Sequence, residues 1–176
     1  LILSFESVGG RGIDPLPAAV AVELAHMESL IQDDIIDRDS SRRETTAFHA
    51  LYGYEIGVLS VDFILSIILD ITTRYKDPRI ARALATAGSR MCEGELEELK
   101  VLRSAKTLSM EKYIDVIAKK TASLFEASAK IGAIIGEAQE EEVKLLSDYA
   151  RLLGTAYQIQ DDISDRKKDT WAKNVC

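Results

Sequence analysis

Apolar positions along the chain recur with a helical period and are punctuated by polar breaks. From Pro15 to Asp37 the residues Val20, Leu24, Met27, Leu30 and Ile31 share one helical face, and Asp14-Pro15 supplies a cap followed by proline at the first helical position. Residues 38 to 46 are polar and read as a loop. A second helix is expected over about Glu55 to Tyr75. Its most apolar window, Ile56 to Ile71, is shorter than a bilayer span and carries Asp62 and Asp70, so it reads as a core helix and no transmembrane segment is predicted. Asp77-Pro78 repeats the capping signature and opens a third helix, with Ile80, Ala83, Leu84, Ala87, Met91, Leu96 and Leu99 on its apolar side. Glu93, Glu95, Glu97 and Glu98 near its end read as a mostly solvated face. Ser109 can cap a fourth helix through Tyr113, Ile117 and Leu124 toward Ile135, with Gly132 and Gly136 allowing close helix contacts or a break. A fifth, from Glu140 to about Asp165, carries Val143, Leu146, Tyr149, Ala150, Leu153, Ala156, Tyr157 and Ile159.

Composition supports the pattern. The 176 residues are 47% hydrophobic with only ten Gly and three Pro, which favours an all-α domain able to bury a substantial core. A net charge of -7 without a basic patch disfavours nucleic acid as a partner. Cys92 and Cys176 are too few for a disulfide framework; a buried thiol is expected at Cys92, and a reducing, cytoplasmic setting fits. Leu1-Ile2-Leu3 shows neither a charged leader nor a cleavage pattern, and Asn174-Val175-Cys176 is not a prenylation box.

The candidate chemistry lies in a repeated acidic cluster, Asp33-Asp34-Ile35-Ile36-Asp37 and Asp161-Asp162-Ile163-Ser164-Asp165. On a helix the first and fifth residues of each cluster fall on one face, so Asp33 with Asp37, and Asp161 with Asp165, can converge on a cation. Both clusters close a predicted helix, where the dipole opposes negative charge, so stability alone would not select them. Hard oxygen donors without a Cys or His cluster suit Mg²⁺, which binds one or two carboxylates and completes its shell with water and substrate phosphate. A solvated acidic turn explains either cluster singly; the repetition favours two helices directing acidic ends across a shared cavity that traps a diphosphate. Arg42, Arg43, His49, Lys119, Lys120, Gln158, Lys167 and Lys168 are the basic and amide groups that could complete it, though each is also an ordinary surface residue.

The ordered series Glu23-Leu24-Ala25-His26, Ser29-Leu30-Ile31, the first acidic cluster, Arg42-Arg43, His49, Tyr52-Gly53, Asp62-Phe63, Lys120-Thr121-Ala122 and Tyr157-Gln158-Ile159-Gln160-Asp161-Asp162 resembles the trans-isoprenyl diphosphate synthase, or polyprenyl synthetase, family. The resemblance extends over nearly the whole chain. It implies one catalytic domain over residues 1 to 176, a bundle of mostly antiparallel helices around a central hydrophobic substrate tunnel, with further helices before and after the matched segment. It implies catalytic roles for Asp33, Asp34, Asp37, Lys120, Asp161 and Asp162. Asp33, Asp37 and Asp161 would hold three Mg²⁺ ions on an allylic diphosphate, assisted by Arg42, Lys120 and Gln158. Arg43 and His49 would grip isopentenyl diphosphate, while Thr121 and Tyr157 line the site. Lys167 and Lys168 fall near another phosphate-binding lysine of the family.

Product length in such enzymes is implied to depend on the residues just upstream of the first cluster. Here these are Met27, Glu28 and Ser29, with no aromatic stopper, which favours a product longer than farnesyl and of about geranylgeranyl length. A homodimer is also implied. Three departures from the family pattern, Glu44 after the paired arginines, Val61 before Asp62-Phe63, and the family's upstream Gly-Lys-Arg phosphate grip, which Gly9-Gly10-Arg11 does not replace, keep open a second reading, a weakly active subunit of a heteromeric synthase. A terpene cyclase would share the first cluster but not the second.

Overall fold

The computed structural model describes residues 1–42, 45–104 and 108–165, and among them the fold is all-α apart from one minimal hairpin. The helices are α1 (Ile2–Ser7), α2 (Leu16–Asp37), α3 (Phe48–Tyr52), α4 (Tyr54–Thr73), α5 (Pro78–Ser104), α6 (Met110–Ile117), α7 (Ser123–Ile135) and α8 (Glu140–Asp165). Strands β1 (Ser41–Arg42) and β2 (Thr45–Thr46) form the hairpin inside the predicted loop, and Ala118–Ala122 is a π-helical turn between α6 and α7. The predicted helices therefore stand, with the fourth divided by that turn and with α1 and α3 added. The chain falls into two compact units: Leu16–Ala81, and Leu1–Pro15 together with Arg82 onward.

In the unit Leu16–Ala81, α4 lies along α2, and α3 packs on both. The interface is built from small residues: Ala18 and Ala21 of α2 are buried, and a Cβ added at Gly57 of α4 would come within 3.0 Å of Ile35 and 3.2 Å of His49. The sequence expectation is corrected here. Val20 and Met27 are about half exposed while the alanines are buried, so the short side chains and not these large ones lie on the inward side of α2. Nor is α4 a core helix. Gly57, Val61, Ile68 and Ile71 face inward, but Ile56, Leu59, Phe63 and Leu69 are exposed. The helix has the length and hydropathy to cross a membrane. Near the start of α2, an orphan amide of the first turn is satisfied when Ala18 N–H donates to the Tyr75 hydroxyl at 3.0 Å.

In the other unit α7 is apolar on nearly every side and is correspondingly enclosed, with α8 and α1 packed against it. Ile131 and Ile135 of α7 and Val116 of α6 are its most deeply buried large side chains, each contributing about 1.5–3 kcal/mol through burial. Gly132 and Gly136 do permit close contact: a Cβ on the first would overlap the Leu1 carbonyl, and one on the second the Val8 side chain. The α8 stripe that turns inward is Val143, Ser147, Ala150, Gly154 and Asp162, whereas Tyr149, Leu153 and Tyr157 of the predicted apolar face are exposed.

The caps follow the sequence. Ser109 Oγ accepts from Lys112 N–H at 3.2 Å, and Asp77 Oδ1 accepts from Arg79 N–H at 2.9 Å with Pro78 between them. Hydrogen bonds from Arg79 hold the Asp77 carboxyl below its ordinary range. Cys92 is exposed on α5, not buried. Its helix turns Gly94 inward, and a residue two positions away lies on another face.

Candidate active site

The first acidic cluster occupies the last turn of α2. Arg38 takes a left-handed conformation, φ 59°, and Asp39 N–H returns to the Asp34 carbonyl at 3.0 Å, so the helix stops sharply and the chain turns back into the hairpin. That return places Arg42 over the helix end, where its Nε donates to Asp34 Oδ1 at 2.7 Å. Asp34 is buried, Asp33 half-buried and Asp37 exposed. The middle aspartate of the triad is thus committed to a protein cation, and the flanking pair occupies adjacent turns of one helix face. His49 lies on the short helix α3, and its buried Nδ1 meets no hydrogen-bond partner among the described residues. Arg43 and Glu44 lie outside the described residues, as do Lys167 and Lys168.

Upstream on α2, Met27 is exposed, Glu28 half-buried and Ser29 turned back to donate to the His26 carbonyl at 2.8 Å. Desolvation pushes the Glu28 carboxyl above its ordinary value, and the neighbouring Asp62 charge adds to the shift.

In the other unit the basic and amide residues converge on the π turn. Gly94 of α5 and Gly154 of α8 each contact it: an added Cβ would approach Lys120 N at 2.6 Å on one side and Ala122 Cα at 2.9 Å on the other. Only glycine lets both helices come so near. Held this way, Lys120 directs its ammonium to Glu95 and Glu98 of α5, with both Nζ–carboxylate distances 2.6 Å. Glu98 is buried and the Glu95 side chain is 13% exposed, which overturns the expectation of a solvated acidic face. The wider turn of a π helix places Lys120 where these carboxylates can be buried with a counter-ion. Lys119, on the same turn, joins Lys112 around Glu97 and Asp115 at 2.7–3.0 Å. Hydrogen bonds from these lysines hold both carboxyls below their ordinary range and raise both lysines.

Glu98, Lys120, Thr121 and Gln158 line a cavity of about 50 Å³ with Val116 and Ile117. Thr121 Oγ1 donates to Gln158 Oε1 at 2.8 Å, and Gln158 Nε2 donates to Asp162 Oδ1 at 2.9 Å, with Asp161 Oδ2 more distant at 3.4 Å. The Tyr113 hydroxyl donates to Asp162 Oδ2 at 2.6 Å. Asp162 is buried; Asp161, one residue earlier, is exposed. Tyr157 is exposed and its ring stacks obliquely on Phe125, with centroids 5.7 Å apart. The two clusters share one design: the second aspartate is anchored by protein, and the first is not buried. Tyr113, Glu95 and Glu98 are the site residues that sequence reading missed. Spacing held a partial signal for the glutamates, since positions three apart share a helix face.

Among the described residues no three His, Cys, Asp or Glu side chains meet in a complete metal cage. The donor set still fits Mg²⁺. Carboxylate oxygens in ones and twos, beside basic groups able to hold phosphate, are what that ion uses when substrate supplies the remaining ligands.

Comparison with known proteins agrees with this chemistry. The polyprenyl synthetase family model matches residues 2–176. A short chain isoprenyl diphosphate synthase of Methanocaldococcus jannaschii is 39% identical over 85% of this chain and 46% of its own length. A geranylgeranyl diphosphate synthase of Methanosarcina mazei is 37% identical over 94% and 52%. The crystal structure of geranylgeranyl pyrophosphate synthetase from Pyrococcus horikoshii superposes with a TM-score of 0.83 at 37% identity, covering 93% of this chain and 52% of that one. A polyprenyl synthase from Caulobacter crescentus, solved with calcium and isoprenyl diphosphate, gives 0.88 at 30% identity, covering 95% and 51%. The chain spans about half the length of these relatives. A match of this extent, with the same all-α fold, establishes that the chain belongs to the polyprenyl synthetase family.

Proposed function

We propose that the complete protein is a trans-prenyltransferase that condenses isopentenyl diphosphate with an allylic diphosphate to give a prenyl diphosphate five carbons longer. The observation that carries this reading is the shared design of the acidic clusters, in which Arg42 anchors Asp34 while Tyr113 and Gln158 anchor Asp162. Fixing the second aspartate orients the helix end so that Asp33 and Asp37, and Asp161, serve as Mg²⁺ ligands. When bound, the ions polarise the diphosphate and offset the charge of the leaving group. Lys120, held in place by Glu95 and Glu98, donates to diphosphate oxygens together with Gln158, and Arg42 supplies positive charge at the other cluster. Arg43 and His49 bind the second diphosphate. With the allylic diphosphate departing, the isopentenyl double bond attacks the resulting cation and loss of a proton completes the step. The residues contribute chiefly position and charge.

We place the product at geranylgeranyl length, because Met27, Glu28 and Ser29 include no aromatic side chain and the Methanosarcina relative bears that name. The protein acts in the cytoplasm as a homodimer. The decisive experiment supplies labelled isopentenyl diphosphate, a set of allylic primers and Mg²⁺, then measures product chain length. Elongated all-trans products are expected, and chelation of the metal abolishes them. Turnover only after adding a second protein would favour the heteromeric subunit, and cyclic hydrocarbon a terpene cyclase.

A further inference from the structure

We propose that Tyr113 is a positioning residue: through Asp162 it fixes which way the Gln158 amide points, and through Gln158 it sets the Thr121 hydroxyl. The inference rests on the prenyltransferase reading and adds to it a residue outside the acidic clusters. A carboxylate offers only acceptors, so Asp162 must be met by donors. Tyr113 supplies one at 2.6 Å on Oδ2, and the Gln158 NH₂ group supplies the other at 2.9 Å on Oδ1. That contact fixes the amide, since turning it over would place Oε1 against Oδ1 with no proton between them. With NH₂ directed at the aspartates, Oε1 faces Thr121 and takes its hydroxyl proton at 2.8 Å. Thr121 is left with lone pairs only for anything else that approaches it.

The chain of bonds begins on a rigid base. Tyr113 is buried in an apolar cluster with Leu108 and Ile117, against which Ile159 of α8 also packs, so its ring is fixed independently of its hydroxyl. Removing the hydroxyl alone would leave Asp162 Oδ2, a buried acceptor, without this donor, and the cheapest relief is rotation of Asp162 toward Gln158. The Gln158–Thr121 bond would then loosen at the wall of the cavity beside Lys120.

The test uses Tyr113→Phe, Gln158→Leu and the double variant in the complete protein. Tyr113→Phe is expected to lower kcat for elongation by roughly 3- to 10-fold, less than the full worth of one bond to a charged group because the loss reaches the site only through Gln158, with KM for isopentenyl diphosphate nearly unchanged. The double variant should be no worse than Gln158→Leu alone. Wild-type kcat in Tyr113→Phe, or losses that simply add, would overturn the proposal by reducing the hydroxyl to a contribution to folding. Calorimetric binding of inorganic diphosphate with Mg²⁺ reads the same coupling without turnover. An inactive wild type would therefore sink the prenyltransferase reading, while the binding cycle still decides for or against Tyr113.

Discussion

Glu28 illustrates how much one side chain's setting can decide. Its carboxyl is pushed up from 4.5, first by desolvation and then by the Asp62 charge, so the folded protein holds this proton more tightly than the unfolded chain does. The stabilising contribution is therefore complete below the ordinary value and is lost as pH rises through the folded one. Once pH exceeds the folded value, the ionised side chain opposes folding. Glu28→Gln is expected to raise the unfolding midpoint at about pH 7 by on the order of one degree, the advantage vanishing toward about pH 4. Thermal unfolding followed across that range checks both the sign and the convergence. At this scale the acidic clusters were legible because their residue types announce charge chemistry at fixed spacing, whereas Arg42 and Lys120-Thr121 were singled out only by the family resemblance. Tyr113 was not, since on a helical face it reads as apolar filling, and only the fold brings its hydroxyl to Asp162, 49 positions away. Glu95 and Glu98 misled for the opposite reason. Four acids in six positions, Glu93 to Glu98, look solvated until a lysine from another element is seen among them.

Element boundaries were read well wherever a cap marked them, as at Ser109 and Asp77, and the π turn was missed because no residue type signals an extra residue within a helical turn. Its position depends on the glycines beside it. Gly94→Ala brings a methyl to 2.6 Å from the Lys120 amide nitrogen, which is backbone and cannot swing aside, so α5 and the turn must separate. We expect a loss of about 1–3 kcal/mol in stability by denaturant titration, with elongation falling further than unfolding alone accounts for because Lys120 leaves Glu95 and Glu98. The end of α7 carries a prediction of opposite sign. There Glu137 adopts φ 60°, and Ala138 N–H closes onto the Ala133 carbonyl at 3.1 Å, the left-handed stop usually given to glycine. Gly136, one position earlier, has φ -74° and does not serve as that stop. Glu137→Gly should therefore stabilise the protein by about 0.5–1 kcal/mol, measured as a shift in denaturant midpoint at constant slope.

For the molecule as a whole, the order of helices and the family were legible because motif order survives translation into a one-dimensional string, whereas the surface left for partners was not. Periodicity marks an apolar face without saying what covers it. On α4 the sequence suggested a core helix, yet only 22% of its most apolar window is buried, and Ile56, Leu59 and Phe63 form an exposed stripe at i, i+3 and i+7. Hydrocarbon is a poor occupant, because Asp62 and Asp70 are exposed on the same helix, Asp70 paired at 2.6 Å with the exposed Arg74 just past its end. A second copy of the chain meets the requirement better, since it covers apolar side chains and leaves rim charges in water. Burying Leu59 and Phe63 on both copies contributes about 1.5–3 kcal/mol per side chain, so placing a charge there is expected to weaken association at least about 100-fold. Sedimentation of the complete protein should show a dimer that Phe63→Glu converts to a folded monomer. A dimer indifferent to that substitution would locate pairing on another face, and flotation of the wild type with lipid vesicles would return α4 to the membrane.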